Sequence, residues 1–228
     1  MSSQLPARAT IKISASILAA DFSNLGEAVR DATNAHADSI HIDFMDGHYV
    51  RNLTFGLDLI PALRCHTHLP LVAHLEIENP DALVSDFARA GADMIIVCED
   101  TCPNLGATIQ AVRSAGMQVG VSLHPDRPLS LVTDYVDQLD LLLILAVPPG
   151  FGGQKLMPSV LPKIADARRL IDTTGKPTGL GVDGGINCET VAQVVQAGAD
   201  TLIVGMAIYR GNVAENISVL RHLAISAR

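Results

Sequence analysis

His41, Asp43, His74 and Asp183 are two imidazoles and two carboxylates, each at or near the end of an apolar run of residues. Brought together, they form a mixed nitrogen and oxygen donor set. It suits a divalent ion such as Zn²⁺, Fe²⁺, Mn²⁺ or Co²⁺ and leaves room for substrate oxygens, unlike a closed structural zinc site. The stretch Ser39-Ile40-His41-Ile42-Asp43-Phe44-Met45-Asp46-Gly47-His48 carries two of the four. Side chains alternate between the faces of a strand, so His41 and Asp43 point one way while Ile40, Ile42 and Phe44 point the other. A second constellation is glycine: Pro149-Gly150-Phe151-Gly152-Gly153-Gln154, then Gly184-Gly185, then Gly205-Met206. Backbone N–H groups in such loops hold a phosphate without lysine or arginine. Taken singly, each residue has a plainer reading, as a core histidine or an ordinary turn. Their joint placement is what points to chemistry.

Placing these residues together requires a particular scaffold. Apolar runs at 12–18, 39–43, 71–77, 94–98, 118–123, 141–147, 178–182 and 201–204 read as strands. Helical patterns lie between them: from Asp21 or Ser23 to about 35, then 56–64, 81–90, 105–115, a short one near 129–136, 160–173, 189–196, and one at the end of the chain. The junctions His36-Ala37-Asp38, Gly91-Ala92-Asp93 and Gly198-Ala199-Asp200 echo one another and read as structural punctuation. Eight such βα units predict an α/β fold, a single closed parallel (β/α)₈ TIM barrel over 1–228 with a polar leader at 1–10. Active sites of such barrels lie at the C-terminal ends of the strands. An open doubly wound sheet would want G-x-G-x-x-G after the first strand, where Ile17-Leu18-Ala19-Ala20-Asp21 stands instead.

Composition narrows the function. The 228 residues are 48% hydrophobic and 18% charged with a formal net charge of -8, so no basic face is expected for nucleic acid or an anionic membrane. The N-terminal stretch lacks an apolar signal core, and no run is long enough to span a bilayer. The expectation is a soluble cytoplasmic protein. Cys65, Cys98, Cys102 and Cys188 contain no C-x-x-C pair and are assigned no chemistry.

The chain resembles the ribulose-phosphate 3-epimerase family. The motifs are Ser16-Ile17-Leu18, His41-Ile42-Asp43-Phe44-Met45-Asp46-Gly47-His48, His74-Leu75, Pro149-Gly150-Phe151-Gly152-Gly153-Gln154 and Val182-Asp183-Gly184-Gly185-Ile186. The resemblance implies a (β/α)₈ barrel that uses one divalent metal ion to interconvert ketose phosphates at C3, by default D-ribulose 5-phosphate and D-xylulose 5-phosphate through a metal-stabilised enediolate. It implies His41, Asp43, His74 and Asp183 as metal ligands, with Asp43 and Asp183 also the opposed acid and base. It implies substrate contacts from Ser16, His74, Gly150, Gly152, Gly153, Gly184, Gly185, Gly205 and Met206, and a homo-oligomer. Inverting C3 of a 2-ketose needs two groups on opposite faces, because one base alone only exchanges the proton.

The surroundings depart from the family pattern. Val72 and Glu76 stand where an aspartate and a methionine are usual, and alternation puts Glu76 on the His74 face, the candidate specificity residue. Cys98, Asp100, Leu145, Met206 and Arg51 also depart, Arg51 reading as an exposed loop residue. Two alternatives follow: a paralogue epimerising another ketose phosphate such as allulose 6-phosphate, or a non-catalytic sugar-phosphate-binding protein. A Schiff-base aldolase finds no well-placed lysine among Lys12, Lys155, Lys163 and Lys176. A decarboxylase of the related barrels would want Asp-x-Lys-x-x-Asp on strand three, and 72–79 contains no lysine.

Overall fold

A computed structural model describes residues 10–228. The polar leader expected over 1–10 falls, apart from Thr10, outside the described residues. Eight parallel strands close in chain order: β1 (Lys12–Ser16), β2 (Ser39–Met45), β3 (Leu71–Glu76), β4 (Met94–Cys98), β5 (Gln118–Leu123), β6 (Leu141–Leu145), β7 (Gly179–Asp183) and β8 (Thr201–Val204), which pairs back onto β1. The helices are α1 (Leu25–Asn34), α2 (Leu59–Arg64), α3 (Val84–Ala90), α4 (Leu105–Ser114), α5 (Leu161–Thr174), α6 (Val191–Gln196), α7 (Met206–Tyr209) and α8 (Val213–Ser226). No helix among the described residues is long and apolar enough to cross a membrane.

Alternation sorts each strand into two apolar environments. Ile40, Ile42 and Phe44 of β2, like Leu71, Ala73 and Leu75 of β3, pack outward into the layer between sheet and helices. The barrel interior holds a smaller cluster, Val72, Ile96, Leu141, Leu143, Leu145 and Ile203. Its bulky members are matched by glycines across from them. A Cβ on Gly181 would sit 2.8 Å from Leu143 Cδ1, and one on Gly120 would sit 2.9 Å from Ile96 Cγ1. This apolar filling is drawn from β3, β4, β6 and β8, while the inward positions of β1 and β2 carry Ser16, His41 and Asp43.

Several boundaries differ from expectation. No α-helix forms near 129–136; β5 and β6 are joined by 3₁₀ turns at Leu129–Leu131 and Val136–Gln138. Val132, Thr133 and Val136 are β-branched, and Thr133 Oγ1 donates to the Leu129 carbonyl, so this short stretch favours tight turns over a continued helix. The unit after β8 carries two helices instead. The first strand ends at Ser16 and turns into a 3₁₀ segment at Ile17–Ala19, β2 runs two residues beyond expectation to Met45, and β6 stops at Leu145.

The end of the barrel holding the strands' first residues is closed by one joint used four times. Asp38, Asp93, Asp140 and Asp200 precede β2, β4, β6 and β8. Their carboxylates accept the N–H of Ile13, Leu71, Val119 and Leu180 on the preceding odd strands, at 2.7, 2.7, 2.8 and 3.0 Å. The N–H of each aspartate bonds back to the carbonyl of the same residue. An arginine closes each joint: Arg221 on Asp38, Arg64 on Asp93, Arg113 on Asp140 and Arg168 on Asp200. The echoing junctions are three of these four. Asp140 follows Gln138-Leu139 and shares only the aspartate.

Asp200→Ala should therefore cost about 2 kcal/mol, because the buried N–H of Leu180 loses its acceptor. The melting temperature should fall by roughly 4–8 °C. An unchanged melting temperature would remove this joint from the account of stability.

Candidate active site

At the opposite mouth, polar side chains face inward from adjacent strands in a fixed register. Ser16 is level with His41, Asp43 with His74, Met45 with Glu76, and Leu145 with Asp183. Asp43 is the hub. Its Oδ1 lies 3.0 Å from His41 Nε2 and 3.1 Å from His74 Nδ1, while Oδ2 accepts the Ser16 hydroxyl at 2.9 Å. Asp183 Oδ2 is 3.8 Å from His41 Nε2. Thr54 fastens the end of β2 from the following loop, donating to the Asp43 carbonyl at 2.5 Å and accepting from Met45 N–H at 3.0 Å. Asp46 is structural: it accepts the N–H groups of His48, Tyr49 and Glu78 and so ties the loops after β2 and β3.

Electrostatics divides the carboxyls. Burial alone would raise Asp43, but His41 and His74 outweigh it and hold Asp43 well below the usual carboxylate range. Burial works against a charged His41, yet Asp43 and Asp183 raise its pKa; His74, buried with weaker compensation, is lowered. Asp183 is raised by burial and by the charge on Asp43, and Glu76 by burial and then by Asp43 and Asp183. Negative charge is thus concentrated beyond what the two imidazoles neutralise.

The donor set fits a divalent ion. One ligand atom from each of His41, Asp43, His74 and Asp183 lies within 4.8 Å of the other three, and a cation among them would relieve the repulsion that raises Asp183 and Glu76. The partners of His74 point the same way. Its Nε2 is 3.1 Å from Ser122 Oγ, and Ser122 reaches Cys98 Sγ and the Val97 carbonyl, both at 3.3 Å. A hydroxyl donates or accepts, so Ser122 can accept a proton-bearing Nε2 while keeping its own hydrogen on Val97 or Cys98. That leaves the Nδ1 lone pair turned toward the cluster. His41 Nδ1 is buried with no partner among the described residues.

Above the cluster opens a cavity of about 560 Å³. Asp43, Glu76 and Asp183 form its polar floor, joined by Ser16, Leu18, Met45 and Leu145, and its walls carry all seven glycine-loop positions expected from sequence: Gly150, Gly152, Gly153, Gly184, Gly185, Gly205 and Met206. His41 and His74 are not on its wall. Both are fully buried, with Asp43 and Ser122 against the His74 ring. Loop packing already explains two of the glycines. A Cβ on Gly185 (φ +69°) would fall 2.1 Å from Leu156 N, and one on Gly184 (φ +109°) 2.6 Å from Val147 Cγ2. The loop after β6 is tied to the loop after β2, where Asn52 donates to the Gly150 carbonyl at 2.8 Å.

Some lining residues escaped the sequence reading. Arg210 stands exposed on the rim, on the turn after α7, a place the residue pattern does not give it; Lys155, at the end of the glycine loop, is exposed there too. Ser122 reads as a small strand residue, and only its distance to His74 reveals its place. Arg51 is exposed, as expected. Lys163, whose pKa burial lowers to about 8, donates to the His124 carbonyl and lines no part of the cavity, which weighs further against a Schiff base.

Comparison with known proteins agrees with this geometry. Residues 12–209 match the ribulose-phosphate 3 epimerase family. The chain is 48% identical over 200 residues to ribulose-phosphate 3-epimerase of Bacillus subtilis (strain 168), covering 87% of this chain and 92% of that protein. To the Synechocystis protein of the same name it is 41% identical over 215 residues, covering 93% and 94%. In fold it is similar to KGPDC from Streptococcus mutans (TM-score 0.71, 15% identity, 96% of this chain and 99% of that one). It is similarly close to 3-hexulose-6-phosphate synthase from Salmonella typhimurium (TM-score 0.68, 20% identity, 96% and 100%).

Ser122→Ala should weaken loading of the cluster by Zn²⁺ about tenfold or more in competition with a chromogenic chelator, since His74 loses its orienting partner. Ser122→Thr, which keeps the hydroxyl, should restore most of it. Equal affinity in wild type and Ser122→Ala would show that Ser122 does not orient the ring.

Proposed function

The chain belongs to the ribulose-phosphate 3-epimerase family, and from that premise we propose that it interconverts D-ribulose 5-phosphate and D-xylulose 5-phosphate by moving a proton at C3. The observation that carries this reading is the pair Asp43 and Asp183 on the floor of one cavity, bridged by His41 and driven in opposite directions. Asp43 is held as the carboxylate and Asp183 is pushed toward the acid, which is the pairing that one base and one acid require.

The reaction needs little else from the protein. C3 is acidified by the neighbouring C2 carbonyl, so one carboxylate takes the proton from one face and the other returns a proton to the opposite face. Residues His41, Asp43, His74 and Asp183 would hold one divalent ion of the Zn²⁺, Fe²⁺, Mn²⁺ or Co²⁺ kind. When bound, it supplies positive charge to the oxygens at C2 and C3 and lowers the cost of charge that develops there. Ser16 fixes the Asp43 carboxylate through its hydroxyl bond. Gly153 and Gly185 bear N–H groups that donate to no protein acceptor among the described residues, and with Gly184, Gly205 and Met206 they surround the side of the cavity proposed to grip the phosphate. Arg210 and Lys155 on the rim add favourable charge there. The loop 149–155, which lines the cavity, would close over the ligand and limit access of water to the reacting carbons.

The test is proton NMR in D₂O. Chelator-treated protein should be inactive with D-ribulose 5-phosphate, and adding back Zn²⁺, Mn²⁺, Fe²⁺ or Co²⁺ should restore xylulose 5-phosphate formation with deuterium entering C3. Asp43→Asn and Asp183→Asn should each lower turnover by about 10²-fold or more. A metal-loaded wild type that neither exchanges nor epimerises this sugar, while acting on a hexulose 6-phosphate, would move the substrate assignment to the longer ketose.

A further inference from the structure

Glu76 has no part in the proton transfer, yet it is the least provided-for polar group of the cavity floor. It is only 4% exposed, and its Oε2 is buried with no hydrogen-bond partner among the described residues. Its Oε1 is 3.9 Å from His74 Nδ1, too far for a hydrogen bond. Glu76 also stands outside the group of four whose ligand atoms all approach within 4.8 Å of one another. A buried polar atom left unpaired costs about 1–3 kcal/mol, so its retention at this point of the cavity asks for a ligand atom.

The closed strand order says which one. Gly184-Gly185 and Gly205-Met206 follow β7 and β8, and β3, which carries Glu76, lies diametrically across the barrel from β7. With the phosphate on the β7–β8 side and C2 and C3 over Asp43 and Asp183, the remaining end of a 2-ketose phosphate is carbon 1. It extends toward β3. The lining side chain level with Glu76 there, Met45, is apolar and offers a hydroxyl no partner. Resting on the proposed function, we infer that Glu76 is a specificity-determining residue that hydrogen-bonds the carbon 1 hydroxyl of the substrate. A carboxyl group can pair with a hydroxyl by accepting or by donating, so the contact does not depend on its protonation state.

The experiment compares D-xylulose 5-phosphate with 1-deoxy-D-xylulose 5-phosphate, which differ only in that hydroxyl. For metal-loaded wild type, kcat/KM should fall about 100-fold or more with the deoxy sugar, as for sites that leave a buried polar group unpaired. Glu76→Met, which replaces the carboxyl by a side chain that needs no partner, should shrink that ratio to about threefold. Glu76→Gln, still able to hydrogen-bond, should keep most of it. Calorimetric titration of both sugars into the same metal-loaded proteins gives the corresponding ratio of dissociation constants whether or not turnover occurs. Binding with discrimination but no epimerisation would sink the proposed reaction and leave the role of Glu76 standing. Equal ratios in wild type and Glu76→Met would overturn it, as would a loss of Zn²⁺ affinity of tenfold in both variants with the sugar ratio unchanged, which would make Glu76 a metal ligand. Failure of either sugar to bind would overturn both readings.

Discussion

Asp43 keeps a negative charge in a place where burial opposes it. Only 3% exposed, it stays ionised because two imidazoles and one hydroxyl converge on its two oxygens. Each of those partners sits on a different strand or a different turn of the alternation, so the charge exists only while β1, β2 and β3 hold their register. The same charge raises both Asp183 and Glu76. One buried anion therefore links strand pairing, the protonation of its neighbours and the demand of the whole cluster for a cation. Removing the carboxylate would do more than delete a ligand: it would also release the two carboxyls from its repulsion and leave two histidines without their shared partner.

The interior is divided to make this possible. Val72, Ile96, Leu141, Leu143, Leu145 and Ile203 fill the interior, with Ile96 and Leu143 accommodated by Gly120 and Gly181, which give up their own side chains to them. Polar groups from β1, β2, β3, β5 and β7 can then gather at the mouth without an apolar residue being forced into water. The loops above follow similar logic. Gly184 and Gly185 allow the segments around Val147 and Leu156 to lie directly against the end of β7, and Asn52 secures Gly150. Glycine in these loops serves close approach of backbone as much as any ligand.

Much of this was legible from residue order because the two-residue period of a strand leaves no freedom. Once Ser39–Met45 is a strand, His41 and Asp43 must share a face, and the same rule sets Glu76 beside His74. Eight repeated units with echoing junctions were enough to read the closed barrel. Other features depend on distances between residues far apart in the chain. Ser122 meets His74 across 48 positions, and nothing local distinguishes it from filler on β5. The depth to which Asp43 and Ser122 bury the His74 ring is likewise a property of packing. Arg210 lies on the rim because α7 is only four residues long, which residue pattern did not foretell. Near 129–136, apolar spacing suggested a helix that local side-chain bonding and β-branching prevent.

Three of the four aspartate joints beneath the barrel also connect onward, and the one spanning β7 and β8 does so across to β1: Lys12 N–H bonds the Asp200 carbonyl just as Gln118 N–H bonds that of Asp93 and Gly179 N–H that of Asp140, while Pro70, with no N–H, stands at the matching place ahead of β3. The ring has no seam there. Where the polypeptide starts is then a matter of genetic order rather than of architecture. Circularly permuted chains that begin just ahead of β3, β5 or β7 would keep every joint and every mouth residue, and would differ mainly in the sequence in which the staves of the barrel are assembled.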